Sequence, residues 1–149
     1  MSKQIYIGAD HAGFELKSKI TKWLKKKEIH FEDLGNLIYN PQDDYPDFAF
    51  KVARMVAKNK TFGILLCGSA HGMCIAANKI KGARAIVAYS IRGAKKAREH
   101  NDANIICLSG WHSHFFRAKR ILKAFLTTSF SKEARHIRRL DKIKKIEEE

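Results

Sequence analysis

Short apolar runs alternate with stretches of helical period from one end of this chain to the other, and that alternation decides what it can fold into. Five runs read as strands: KQIYIG (residues 3–8), IHFEDLG (29–35), TFGILLC (61–67), ARAIVAYS (83–90) and NIICLSG (104–110). Between them, FELKSKITKWLKKK (14–27) sets Phe14, Leu16, Ile20, Trp23 and Leu24 mostly along one helical stripe. DFAFKVARMVAKN (47–59) does the same with Phe48, Val52, Met55 and Val56. MCIAANKI (73–80) and IRGAKKAREHN (91–101) read as two further helices, and residues from about 113 to 145 as helix with a break at TTSFS. Residues 36–46 hold both prolines and read as a loop. TFGILLC and NIICLSG are apolar almost throughout, which suits parallel strands buried on both faces. Strands that alternate with helices build a parallel sheet with helices on both faces. The expected fold is therefore α/β, a three-layer Rossmann-like arrangement around a five-stranded parallel sheet. Ligands of such sheets bind beyond the carboxyl ends of the strands, so residues 8–13, 67–72, 89–90 and 108–112 are the positions of interest.

At 149 residues the chain has the length of one domain, expected to span 1–149, and no repeat, linker or low-complexity segment interrupts it. Its three cysteines, Cys67, Cys74 and Cys107, are odd in number and lie in apolar contexts, which fits free thiols in a reducing compartment. No stretch approaches a membrane span and the N-terminus lacks the apolar segment of a secretory leader, so a cytoplasmic protein without a membrane partner is expected. The net charge of +14 raises nucleic acid as a partner. Its distribution argues against that reading, because the lysines of LKSKITKWLKKK and LDKIKKIEEE fall on what read as solvated helix faces. A positive field equally suits a small anionic substrate.

The segment CGSAHG (67–72) joins a strand end to a helix start. Consecutive main-chain N–H groups at such a turn form an anion cradle, reinforced by the helix dipole. No Lys-Ser or Lys-Thr follows the glycines, so this is not a nucleotide P-loop, and the glycine spacing is not that of a dinucleotide fingerprint. Cys67 stands at the edge of the cradle, where helix amides favour a thiolate able to act as nucleophile or base. A structural buried cysteine is the equal alternative. Asp10, after the first strand, suits a helix cap, but a cap does not require the adjacent His11. His100 and Asn101 read either as site residues or as a helix C-terminal histidine and a turn asparagine. Arg135 and Arg139, four apart, share a helix face that can grip a phosphate or simply meet solvent.

Taken together and in order, IGADHAGFELK, DYPDFA, GILLCGS, IAANKIKGARA, REHNDAN and ARHIRRL resemble the ribose-5-phosphate isomerase B family, which includes galactose-6-phosphate and allose-6-phosphate isomerases. The resemblance covers residues 3 to 145 or so. It implies an aldose–ketose isomerase that interconverts ribose 5-phosphate and ribulose 5-phosphate through an enediolate, with no metal and no redox cofactor. Cys67 is then the base working between C2 and C1; in one branch of the family a glutamate six residues on does this, and Met73 stands there in this chain. Main-chain N–H groups of Gly68, Ser69, Ala70, His71 and Gly72 are implied to stabilise the enediolate oxygen, with Ser69 helping to hold the substrate. Asp10 and Tyr45 are implied to meet sugar hydroxyls, His100 to assist ring opening beside Asn101, and His11, Arg135 and Arg139 to bind the phosphate. The site is implied to be shared between the subunits of a homodimer or tetramer.

Two places depart from the family pattern. Ala70 and His71 stand where the family usually has glycine and a small aliphatic residue. If residue 70 needs a positive φ, alanine is strained there by about 1 kcal/mol or more. His71 either enters the pocket or faces solvent. Trp111, in SGWHSHF, stands where relatives commonly offer a phosphate-binding arginine, with His112 and His114 as possible replacements; the two histidines alone are a weak metal signal. These departures leave a hexose 6-phosphate isomerase, or a non-catalytic binder of sugar phosphate or nucleic acid, as the alternative readings.

Overall fold

The computed structural model describes residues 4–149. In chain order the elements are β1 (Ile5–Ala9), α1 (Phe14–Lys26), β2 (Phe31–Asp33), α2 (Tyr45–Asn59), β3 (Gly63–Cys67), α3 (His71–Ala77), β4 (Ala85–Val87), α4 (Ile91–Asn101), β5 (Ile105–Ser109), α5 (Phe115–Thr127) and α6 (Ala134–Ile146). The strands form one parallel sheet in the order β2-β1-β3-β5-β4. The expected α/β sheet of five strands is present. Lys3, placed at the start of the first strand from sequence, lies outside the described residues.

Side-chain alternation along the central strands builds the two faces. On β3, Ile64 and Leu66 join the core under α1, α4 and α5, while Leu65 and Cys67 join the core under α2 and α3. On β5, Ile106 and Leu108 face the first core and Ile105 and Cys107 the second. Each of these eight side chains is buried completely or nearly so, as a strand covered on both sides requires. Cys67 therefore faces α2 and α3 because of its parity with Leu65.

Element boundaries moved where local chemistry overrode the pattern. Pro46 sits inside the first turn of α2 rather than before it, since a proline there forfeits only an N–H that the helix leaves unbonded. α3 begins at His71, not Met73, so Gly72 belongs to its first turn instead of the preceding loop. The fourth strand keeps only Ala85–Val87. The C-terminal helical region breaks between Thr127 and Ala134, close to the expected TTSFS.

The order β2-β1-β3 puts a topological switch between β1 and β3, because α1 leaves β1 on one face and α2 reaches β3 on the other. There the strand ends are tied by main-chain hydrogen bonds: Asp10 N to Leu66 O (3.2 Å), Gly110 N to Cys67 O (2.8 Å) and Trp111 N to Gly68 O (3.2 Å). The approach is close enough to demand glycine. A Cβ on Gly13 would stand 2.4 Å from Leu66 O, and one on Gly110 would stand 2.1 Å from Ala12 O. Neither contact can yield, since both oxygens are backbone. Gly110→Ala is expected to destabilise the fold by about 3 kcal/mol, read as a lowered urea midpoint with unchanged slope; a midpoint within error of wild type would mean that the strand ends separate freely.

Candidate functional site

Cys67 ends β3 at this switch, and its side chain is turned toward the first turn of α3. The N–H groups of Met73, Ala70 and Gly72 meet its sulfur. The loop that aims them passes through Ala70 at φ +73°, the left-handed region that glycine adopts without penalty. The strain foreseen for alanine at this position is therefore present, at about 1 kcal/mol.

The thiol itself departs from expectation. Burial pushes the Cys67 thiol up from its ordinary value, and the nearby Asp10 carboxylate adds to the rise. The three amides pull the other way and do not overcome burial. Helix amides alone suggested a favoured thiolate; the exclusion of water from Cys67, only 4% exposed, reverses that. Cys107, on the same sheet face, is fully buried and burial raises its thiol strongly, whereas its hydrogen bond lowers that of Cys74.

Asp10 is buried, and its Oδ1 accepts from the N–H groups of Ala12 (3.0 Å) and Gly13 (3.1 Å). It thus fills the capping role at the entry to α1 and also lies close enough to Cys67 to influence it. Burial raises the Asp10 carboxyl despite these bonds and the neighbouring His11. His11 is partly exposed, with Nδ1 2.8 Å from Asp43 Oδ1. Asp43, in the β2–α2 connection, was not singled out from sequence; a pairing across 32 residues leaves no periodic signal. Asp10, His11 and Asp43 bring ligand-type atoms within 4.8 Å of one another, but Nδ1 and Oδ1 are engaged with each other as an ion pair rather than as an open ligand set.

Two aromatic rings edge the cradle. Trp111, 69% exposed, lies over Gly68, and Tyr45, 40% exposed, lies over Gly72; a Cβ on either glycine would fall 2.5 or 2.6 Å from ring carbons. Glycine is needed at 68 and 72 to seat these rings, which the sequence reading missed. His71 faces solvent, the second of its two readings, with Nε2 3.3 Å from the Tyr89 hydroxyl. That hydroxyl also donates to Ser69 O at 3.1 Å, so Tyr89 braces the cradle from outside. The Ser69 Oγ accepts only a long bond, 3.4 Å, from His71 N.

The structure separates the remaining candidates from Cys67. α4 runs back from the carboxyl end of β4, so His100 and Asn101 at its end lie by the amino ends of the strands. α6 is at that end too, because Glu147 Oε2 accepts from Gly82 N ahead of β4. His100 stacks on the buried His136 of α6 at 4.5 Å between centroids, and Arg135 and Arg139 flank it, exposed. Asp10, His11, Tyr45, Ser69 and Cys67 thus form one group, and His100, Asn101, Arg135 and Arg139 another, at opposite ends of the sheet. A cavity of about 580 Å³ under α6, lined by Phe62, Arg84, Arg98 and Leu140 among others, contains none of these residues. No helix among the described residues is long and apolar enough to cross a membrane.

A buried thiol in an amide nest, beside a carboxyl and a carboxylate-bound imidazole, can abstract a proton from a carbon acid and hold the negative charge that follows. The thiolate should dominate only above the ordinary thiol value of 9.0. Alkylation of Cys67 by iodoacetamide, read peptide by peptide to separate it from Cys74, is expected to accelerate about tenfold per pH unit from 7 to 9. A rate that has already levelled off at pH 7 would mean that the amides win over burial.

Comparison with known proteins gives a consistent result. The model of the family described as Ribose/Galactose Isomerase matches residues 5–143. A probable ribose-5-phosphate isomerase B from Mycoplasma genitalium is 44% identical over 100% of this chain and 99% of its own. The ribose-5-phosphate isomerase B of Mycobacterium tuberculosis is 46% identical over 93% of this chain and 86% of its own. Among solved structures, the M. genitalium enzyme with bound ribulose-5-phosphate superposes with a TM-score of 0.95, covering 100% of this chain and 99% of that one at 44% identity. The type B ribose 5-phosphate isomerase of Trypanosoma brucei has a TM-score of 0.92, covering 98% of this chain and 99% of that one at 41% identity.

Proposed function

The chain belongs to the Ribose/Galactose Isomerase family, and from that premise we propose that it interconverts ribose 5-phosphate and ribulose 5-phosphate. The observation that carries this reading is the Cys67 sulfur facing three main-chain N–H groups next to Asp10 at the sheet's switch point.

The roles follow from charge and position. Cys67, as thiolate, removes the proton from C2 of the open-chain sugar, and the resulting thiol returns a proton to C1 of the enediolate. The main-chain N–H groups of residues 68–72 stabilise the enediolate oxygen, and one such donor is worth about 3 kcal/mol of barrier. Burial makes the thiolate scarce at neutral pH but strongly basic, which suits a weakly acidic C–H. Asp10 has Oδ2 available for a sugar hydroxyl because Oδ1 serves Ala12 and Gly13. Tyr45 and Ser69 hold the sugar, and His11 meets the phosphate. Tethering by the phosphate orients carbons several bonds away.

His100, Asn101, Arg135 and Arg139 complete the site from a second copy of the chain, since the Cys67 of their own chain lies at the other end of the sheet. His100 then assists ring opening, and the two arginines close on the phosphate. The working unit is a homodimer or a pair of such dimers, acting in the cytoplasm.

Purified protein is expected to isomerise ribose 5-phosphate in preference to allose 6-phosphate and galactose 6-phosphate, and Cys67→Ala to lose at least about a thousandfold in kcat. Preference for a hexose would move the substrate assignment, and near-normal turnover by Cys67→Ala would remove the base. Equal amounts of Cys67→Ala and His100→Ala chains, unfolded and refolded together, are expected to regain about one quarter of wild-type activity, because half the dimers carry one intact site. No recovery, with dimers formed, would mean that both residues act within one chain.

A further inference from the structure

The β2–α2 connection carries a carboxylate with no part in the proton-transfer scheme. Asp43 Oδ1 accepts two bonds from a single residue, the His11 main-chain N–H at 2.9 Å and the His11 Nδ1 at 2.8 Å. Its other oxygen accepts from Asn36 Nδ2 at 2.6 Å. Asn36 is itself fixed, with its N–H bonded to Ala9 O at 2.9 Å and its carbonyl to Lys17 Nζ at 2.5 Å. Lys17 is buried and paired with Asp33. A continuous series of bonds therefore runs from α1 through Asn36 to Asp43 and ends on the imidazole.

We infer that Asp43 is the positioning residue of His11, fixing its ring with Nδ1 inward and protonated so that Nε2 is presented to an anionic group of the substrate. The carboxylate can only accept, so the proton between the two must reside on Nδ1. Neutral His11 then exposes a lone pair at Nε2, and protonated His11 exposes an N–H donor there. Only the second form attracts a phosphate oxygen. The charged groups facing the ring are Asp43 from the connection and Asp10 from its own segment; Lys17, from α1, is engaged by Asp33 and Asn36. Both carboxylates favour the imidazolium. The His11 ring is accordingly raised above its ordinary value, chiefly by the Asp43 bond, and Asp43 is lowered, the donors from His11 and Asn36 outweighing the opposing effect of its partial burial. The cation thus persists to higher pH with Asp43 than without it. This part of the inference rests on the proposed contact between His11 and the sugar phosphate; the geometry of the pair does not.

The test has two readouts. In ¹⁵N-detected titration of His11, Asp43→Asn, which keeps an accepting oxygen but removes the charge, is expected to lower the ring's midpoint by about one pH unit. Asp43→Ala is expected to abolish the Nδ1–H tautomer signature as well, and Asp43→Glu to restore part of both. In steady-state assays with ribose 5-phosphate at pH 8, Asp43→Asn is expected to raise KM about tenfold, more than it lowers kcat, and to move the alkaline rise of KM to lower pH. Unchanged midpoint and tautomer in all three variants would overturn the inference. If the titration shifts as expected while His11→Asn leaves KM and its pH dependence untouched, Asp43 still positions the ring, and the phosphate contact of His11 is what fails.

Discussion

Backbone approaching backbone at the ends of β1, β3 and β5 is the constraint on which the rest of this molecule depends. Gly13 and Gly110 let three strand-to-helix connections close to within main-chain hydrogen-bonding distance. With those ends tied, the turn after Cys67 has little freedom. Its amides point back at the sulfur, and even Ala70 is held in a conformation an alanine would otherwise avoid. Trp111 over Gly68 and Tyr89 on Ser69 brace the same turn from two sides.

That tight closure also sets the chemistry. A thiol in open water beside helix amides would ionise readily. Here the closure that aims the amides also removes water, and desolvation outweighs the hydrogen bonds. The outcome is a thiol whose anion is scarce and strongly basic, with main-chain N–H groups beside the sulfur. His11 has the opposite balance, partly exposed and held by a carboxylate that favours its cation. Two titrating groups on neighbouring strand ends are thereby pushed toward different forms, one neutral and one charged.

Much of this was legible in the residues. Unbroken apolar runs at 61–67 and 104–110 marked strands buried on both faces, and the helical stripes between them marked a parallel sheet. From the fold class alone, the carboxyl ends of the strands directed attention to residues 8–13, 67–72, 89–90 and 108–112, which include Asp10 and Cys67. What sequence could not show were balances and distant pairings. The direction of the thiol shift depends on burial, which no local motif reports. Asp43 meets His11 across an irregular loop, and His136 meets His100 between two helices that only the tertiary fold brings together. The separation of His100, Arg135 and Arg139 from Cys67 followed from chain direction once the sheet order was known. It is also why a single chain carries these two groups of residues at opposite ends of the sheet.

Hydrogen exchange at the reacting carbon tests the account most directly. In D₂O, wild-type protein should return ribose 5-phosphate with deuterium at C2 and release ribulose 5-phosphate with deuterium at C1, both visible by NMR. With Cys67→Ala the exchange should vanish together with turnover, since no group remains to take the proton. Exchange at C2 continuing at the wild-type rate without that sulfur would contradict the account, whatever the fate of the product.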